Sequence, residues 1–246
     1  MHNIPGNLFY YTVEPYDDYW TLAQRFHTSV EELFAVNPGV DPYHLFVGQT
    51  ISVPYNGSKR IPLHHCISKQ EVDLKSKTRL HWEQHVAWTR MTIISLVFKL
   101  PDVHFVIARL LQNATDMGNE LRPYYGDNIA NMYSNLIREH LLIAADLVKA
   151  AIQGDQNKVA SIEAKWYANA DQIAEFWSNI NPYLSKEEVR KLFYNHLALT
   201  KLEAVSMITK DFKKSIEVYD KIEAQALEMA DLFTNGIVKQ FPRKFA

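Results

Sequence analysis

The chain has 246 residues, with 26 Lys and Arg against 28 Asp and Glu, for a formal charge of -2. That length exceeds one typical domain and leaves room for more than one core. No long run of one sign occurs, so neither nucleic acid nor an anionic membrane surface is indicated as a partner.

Residues 1–10 read as a tail. They contain Pro5 and Gly6 and lack a basic region followed by an apolar core, so no secretory leader is expected. Tyr11 to Val13 is then a short β-rich run, and Pro15 to Asp18 supplies turn chemistry ahead of an apolar series, Trp20, Leu22, Ala23 and Phe26, at helical spacing. Thr28 and Ser29 stand three residues before Glu31 and Glu32, the spacing of a capping box, and a second short helix follows through Leu33 and Val36. Asn37, Pro38 and Gly39 end it. Leu45, Val47, Ile51 and Val53 alternate out of a turn at Gly48 into a closing strand that stops at Pro54.

These motifs in this order, YTV, LAQRF, NPGV, LFVGQ and ISVP, resemble a LysM module over residues 11–54, about one fifth of the chain. The resemblance implies a small α+β fold of order βααβ. It also implies a ligand, a polymer containing N-acetylglucosamine such as peptidoglycan or chitin. Carried over by position, the glycan groove would be lined by Tyr16, Asp17, Asp18 and Tyr19 on one side and by Val40, Asp41, Pro42 and Leu45 on the other. Short carboxylates suit acetamide and hydroxyl groups, and tyrosine rings suit the apolar face of a pyranose. Most modules carry Gly-Asp-Thr or Gly-Asp-Ser in this loop, and here Tyr16 takes the glycine's place. A glycan-binding protein made without a leader fits the cytoplasm, with the spore or cell envelope as its place of action.

Residues 55–77 have the composition of a linker: Asn56, Gly57, Ser58 and Pro62, then a charged run from Lys69 to Lys77. His64, His65 and Cys66 are adjacent rather than at zinc-like spacing, so no metal is expected there. Cys66, the single cysteine, can form no internal disulfide, which fits a reducing compartment.

From residue 78 to 241 apolar residues recur at three and four, which predicts an all-α antiparallel bundle. Its joints cut the chain into six helices, 78–99, 102–121, 127–153, 156–180, 185–209 and 212–238. The longest apolar stretch, Met91 to Phe98, is interrupted by Thr92 and Ser95 and falls far short of the roughly 20 residues that cross a bilayer. No transmembrane segment is expected. The phrases LRPYYG, WYANAD, HLALTKLEA and ALEMADLFTNGIVKQFP resemble an uncharacterised helical domain of bacterial, chiefly endospore-forming, proteins, a resemblance that implies no known activity.

The bundle contains an internal repeat. Asn113 and Asn169, His140 and His196, and Asp155 and Asp211 each stand 56 residues apart, and His85 to Asp116 spans the same 31 residues as His140 to Asp171. A third copy, His196 to Asp231, spans 35. Three successive αα hairpins follow, with the three imidazoles at one height along the bundle. Two readings of this layer stand side by side. His85, Asp116, His140, Asp171, His196 and Asp231 could form a site for a metal or small polar ligand, or the pairs could be buried register-setting contacts without a ligand. The bundle has no Glu-x-x-His, phosphate loop, nucleophile elbow or paired-glutamate pattern, so neither a cofactor nor catalysis is predicted, and its expected role is assembly or partner binding.

Overall fold

A computed structural model describes residues 8–15, 17–42, 44–54 and 67–245. Tyr16 and the linker residues His64, His65 and Cys66 lie outside these. The chain divides into two compact units, Met1–Ile67 and Ser68–Ala246.

In the N-terminal unit, strand β1 (Leu8–Thr12) pairs antiparallel with β2 (Thr50–Pro54), Leu8 opposite Pro54 and Thr12 opposite Thr50. The strand thus takes in residues 8–10, which the sequence reading assigned to the tail. Between the strands lie two short helices, α1 (Tyr19–Arg25) and α2 (Val30–Val36). Both start at capping boxes, Asp18 with Thr21 and Ser29 with Glu32, which satisfy amides that a helix start leaves unbonded. Tyr19, Leu22, Ala23 and Phe26 form the inward stripe of α1 and pack with Leu33, Tyr11, Val13, Ile51 and Val53.

Two polar side chains hold this small core together. Asn37 donates to the Leu33 and Ser52 carbonyls at 2.8 and 2.7 Å and accepts from the Ser52 amide at 2.6 Å, clamping β2 to the end of α2. Asp17, whose side chain is 1% exposed, accepts from the Tyr11 hydroxyl at 2.7 Å and the Glu14 amide at 2.8 Å and pairs with Arg25 at 2.9 Å. Arg25 also donates to the Tyr11 hydroxyl at 2.7 Å. Burial, then the Asp17 carboxylate, pushes the Tyr11 phenol up, so it remains a neutral donor at any ordinary pH.

The second unit is all helix: α3 (Lys69–Val97), α4 (Val103–Gln153), α5 (Gln156–Ile180), α6 (Lys186–Ile208) and α7 (Phe212–Gln240), followed by a short 3-10 turn, Pro242–Lys244. Helix α4 is broken at Gly126, whose φ of 78° and ψ of 176° are not helical, three residues after Pro123. Its two arms correspond to the expected second and third helices. Helix α3, however, starts nine residues before the expected 78. Ser68 caps it by accepting from the Glu71 amide, and the polar run 69–77 taken for linker is its exposed face, anchored by buried Leu74. Helix α3 packs against both α4 and α7, α4 against α5, and α5 and α7 against α6.

The hairpin joints repeat as the sequence does. Lys99, Gly154 and Lys210 each adopt a left-handed φ (53°, 74° and 64°), and Asp155 and Asp211 then cap the next helix. Around the axis, Trp177 stacks on Phe233 at 4.4 Å and Tyr133 on Phe176 at 5.6 Å, while Glu120 accepts from Thr78 and His81 to tie α4 to α3. Among the described residues no helix is long and apolar enough to cross a membrane.

Removing the charge of Asp17 leaves three donors, the Tyr11 hydroxyl, the Glu14 amide and the Arg25 guanidinium, with a weaker acceptor. Asp17→Asn is therefore expected to destabilise the N-terminal unit by about 1.5–3 kcal/mol, with the helical unit unchanged. Residue-resolved amide exchange checks this, and protection in β1 and β2 equal to that of the unaltered chain would contradict it.

Candidate functional site

The N-terminal unit carries a depression of about 700 Å³ between the start of α1 and the outer face of α2, lined by Asp18, Tyr19, Trp20, Val30, Glu31, Phe34, Ala35 and Pro42. Its floor follows from helix rotation. Leu33 is the inward residue of α2, so Phe34, about 100° further round, faces solvent. In α1 the same step separates inward Tyr19 from Trp20. Trp20 is 65% exposed and Phe34 55% exposed, unusual for such rings on a small unit. The Asp18 carboxyl is held below the usual range by its hydrogen bonds from Thr21, so it is ionised at neutral pH.

Of the eight residues expected to form the groove, Asp18, Tyr19 and Pro42 line this depression. Tyr19 places its ring in the core, with its hydroxyl unpartnered and pushed up by burial. The others are used differently, and Asp17 is committed to the internal network described above. Val40 and Leu45 pack against the small core, and Asp41 pairs with His44 at 2.8 Å. Tyr16 lies outside the described residues. Trp20, Val30, Glu31, Phe34 and Ala35 were not foreseen as lining residues. Trp20 was placed in the inward apolar series, whereas the stripe starts one residue earlier, at Tyr19.

In the helical unit the three expected imidazoles do converge. His85, His140 and His196 are all buried, with ring centres 6.5 Å apart for His85 and His140 and 5.5 Å for His85 and His196. The expected aspartates are elsewhere. Asp116 accepts from Gln112, Asp171 from the Tyr194 hydroxyl, and Asp231 pairs with Arg79 and Lys75 at the surface. The partners of the imidazoles are amides instead: His140 Nδ1 meets Asn169 Oδ1 at 2.9 Å and His196 Nδ1 meets Gln225 Oε1 at 3.1 Å. Each amide nitrogen also donates to the carbonyl one turn before its repeat's histidine, Asn113 to His81, Asn169 to Leu136 and Gln225 to Leu192. Since the nitrogen donates there, the amide oxygen accepts, and His140 and His196 carry their proton on Nδ1.

In the first copy the same atoms, His85 Nδ1 and Asn113 Oδ1, approach without completing the bond. Its amide follows the histidine by 28 residues, not the 29 of the other two copies. The reason the aspartates fail is again rotation. Asp171 follows inward Asn169 by two residues, about 200° round the helix, and so points away. Asn113, Asn169 and Gln225 recur at an interval of 56, a signal that a search for identical side chains passes over because the third copy is Gln. Among the described residues no group of three or more His, Cys, Asp or Glu is placed to hold a metal ion.

Burial depresses all three histidines, His140 to about 3, His196 to about 4 and His85 well below its ordinary value, and for His85 and His140 repulsion from the neighbouring rings adds to it. Unfolded imidazoles take up protons near pH 6.5, while the folded ones resist until far lower. The unfolded state therefore binds more protons below about pH 6.5, and stability falls on acidification by up to about 1.4 kcal/mol per pH unit for each ring. The urea midpoint of the helical unit is expected to drop clearly between pH 7.5 and 5, a window above most carboxylate titrations. Equal midpoints would show that the rings are protonated in the fold.

No curated protein and no solved structure matches the chain. A family model does, that of the LysM domain, over residues 11–54. With its antiparallel strand pair enclosing two capped helices, the N-terminal unit is a LysM domain.

Proposed function

We propose that the LysM domain binds a glycan containing N-acetylglucosamine in the depression between α1 and α2. The observation that carries this reading is the pair of exposed rings, Trp20 and Phe34, bordering one concavity with the ionised Asp18. An aromatic ring covers the apolar face of a pyranose with little rotamer entropy to lose, and carboxylates at the rim accept from hydroxyl and acetamide N–H groups. Glu31 is the second carboxylate on that rim. The polymer in this reading is peptidoglycan, in a cell wall or spore cortex. One module engages one stretch of chain weakly, so useful retention comes from several copies held together. Assembly, or binding of a protein partner, is the role proposed for the helical unit.

Titration with chitohexaose, followed by amide chemical shifts of the full chain, tests the site. Shifts are expected to cluster at 18–20 and 30–35, and Trp20→Ala is expected to weaken binding about tenfold, or about 1.4 kcal/mol. A saturating titration that leaves both segments unmoved defeats the proposal.

A further inference from the structure

The near-neutral balance of the whole chain conceals one end of the helical unit. The joint between α3 and α4 and the joint between α6 and α7 adjoin there, since the Phe98 and Phe212 ring centres are 6.1 Å apart. Of the eight phenylalanines in this unit, Phe98, Phe105 and Phe212 are exposed, at 42%, 78% and 48%, and all three lie in these two joints. The other five are buried or half-buried. Leu100 and Ile216 are exposed beside the three rings. Ile216 follows Phe212 by one turn and so shares its side of α7.

The charge at this end is equally distinct. Residues 98–105 and 209–216 hold four lysines, Lys99, Lys210, Lys213 and Lys214, against two aspartates, Asp102 and Asp211, with no glutamate and no arginine. Both aspartates are turned to the fold. Asp102 accepts from the Ser95 hydroxyl at 2.8 Å, and Asp211 accepts from the Lys214 amide at 3.1 Å. Among the described residues only Lys214 of the four lysines has an ion pair, a loose one with Glu217 at 3.8 Å. The third joint of this end, at Gly154, adds Asp155 and Lys158, which offset each other. At the opposite end the cations are matched, Arg122 with Asp127, Lys186 with Glu175 and Arg190 with Glu187.

We propose that this end of the helical unit docks on the surface of an anionic phospholipid bilayer. The phenyl rings, with Leu100 and Ile216, enter the boundary between headgroups and acyl chains, while the lysine stems lie along them and carry their ammonium groups to phosphate oxygens. Composition separates a lipid surface from a protein one. The anchors of protein interfaces are chiefly Trp, Tyr and Arg, and Lys is depleted there, whereas these two joints combine Phe with Lys and contain no Trp, Tyr or Arg. Lysine, a flexible point charge, suits a fluid array of headgroups that offers no fixed bidentate geometry. The contact is peripheral, because among the described residues no helix is long and apolar enough to cross the bilayer.

The test is co-sedimentation of the full chain with vesicles of phosphatidylcholine, with and without phosphatidylglycerol, at low salt. Binding is expected only with phosphatidylglycerol present, and it is expected to fall as salt is raised. Phe105→Ser is expected to weaken it about tenfold, and Lys210→Gln and Lys213→Gln about fivefold each. All three side chains are exposed, so the helical circular dichroism is expected to stay unchanged. Tyr183→Ser, an exposed position at the opposite end, is expected to leave binding as it is. Absence of binding to the phosphatidylglycerol vesicles overturns the proposal. Binding that survives Phe105→Ser combined with Lys213→Gln overturns it too, since the contact then lies elsewhere on the chain. A dimer in sedimentation velocity that Phe105→Ser dissolves, with vesicles left unbound, makes this end an interface between copies instead. Vesicles carry no glycan, so these outcomes and the chitohexaose titration stand or fall separately.

Discussion

Three imidazoles buried at one level set the constraint around which the helical unit is organised. A neutral imidazole inside an apolar bundle must find a partner for its N–H, and an amide side chain can both accept that hydrogen and donate to the backbone. Here the donation goes to the carbonyl one turn before the histidine, in all three repeats. In the second and third repeats the amide also meets the imidazole and so grips the facing helix at two heights, and sliding those hairpins by one residue would strand several buried polar atoms together. The layer thus specifies register as well as stability, which hydrophobic packing alone does loosely.

The same layer divides the interior. On one side Trp82 and Phe193 close against the rings, continuous with the stacked aromatics around Trp177 and Phe233. On the other side smaller residues, Ala144, Ala145, Ala151 and Ala204 among them, leave an apolar cavity of about 70 Å³. A repeat built on one template thereby carries a dense half and a hollow half. Trp166, which packs against His140 at 5.3 Å, stands at the boundary.

The LysM domain solves a different problem, since a unit this small has little apolar area to bury. Its loops are held by side chains that replace missing secondary structure: Asp17 gathers β1, the loop after it and α1, while Asn37 joins α2 to β2. With those two polar networks in place, the outer faces of α1 and α2 are free to expose aromatic rings. A residue that holds a loop from within is unavailable to a ligand. For that reason Asp17 belongs to the fold and Asp18, its neighbour, to the depression.

Much of this was legible in the sequence, for a physical reason. Helix and strand periods, capping boxes and turn residues act over a few positions, so the βααβ order, the helical joints and the repeat of 56 could be read from spacing alone. The start of α3 could not, because a charged run looks alike as linker and as a helix face; only the burial of Leu74 against the bundle separates them. Facing directions were the other limit. Consecutive helical residues differ by about 100°, so an error of one position exchanges Tyr19 for Trp20, and one of two exchanges Asn169 for Asp171. Local chemistry determined which elements form and where most of the helices begin and end. Tertiary packing decided which side chains meet, because burial and hydrogen-bond satisfaction depend on neighbours that are distant along the chain.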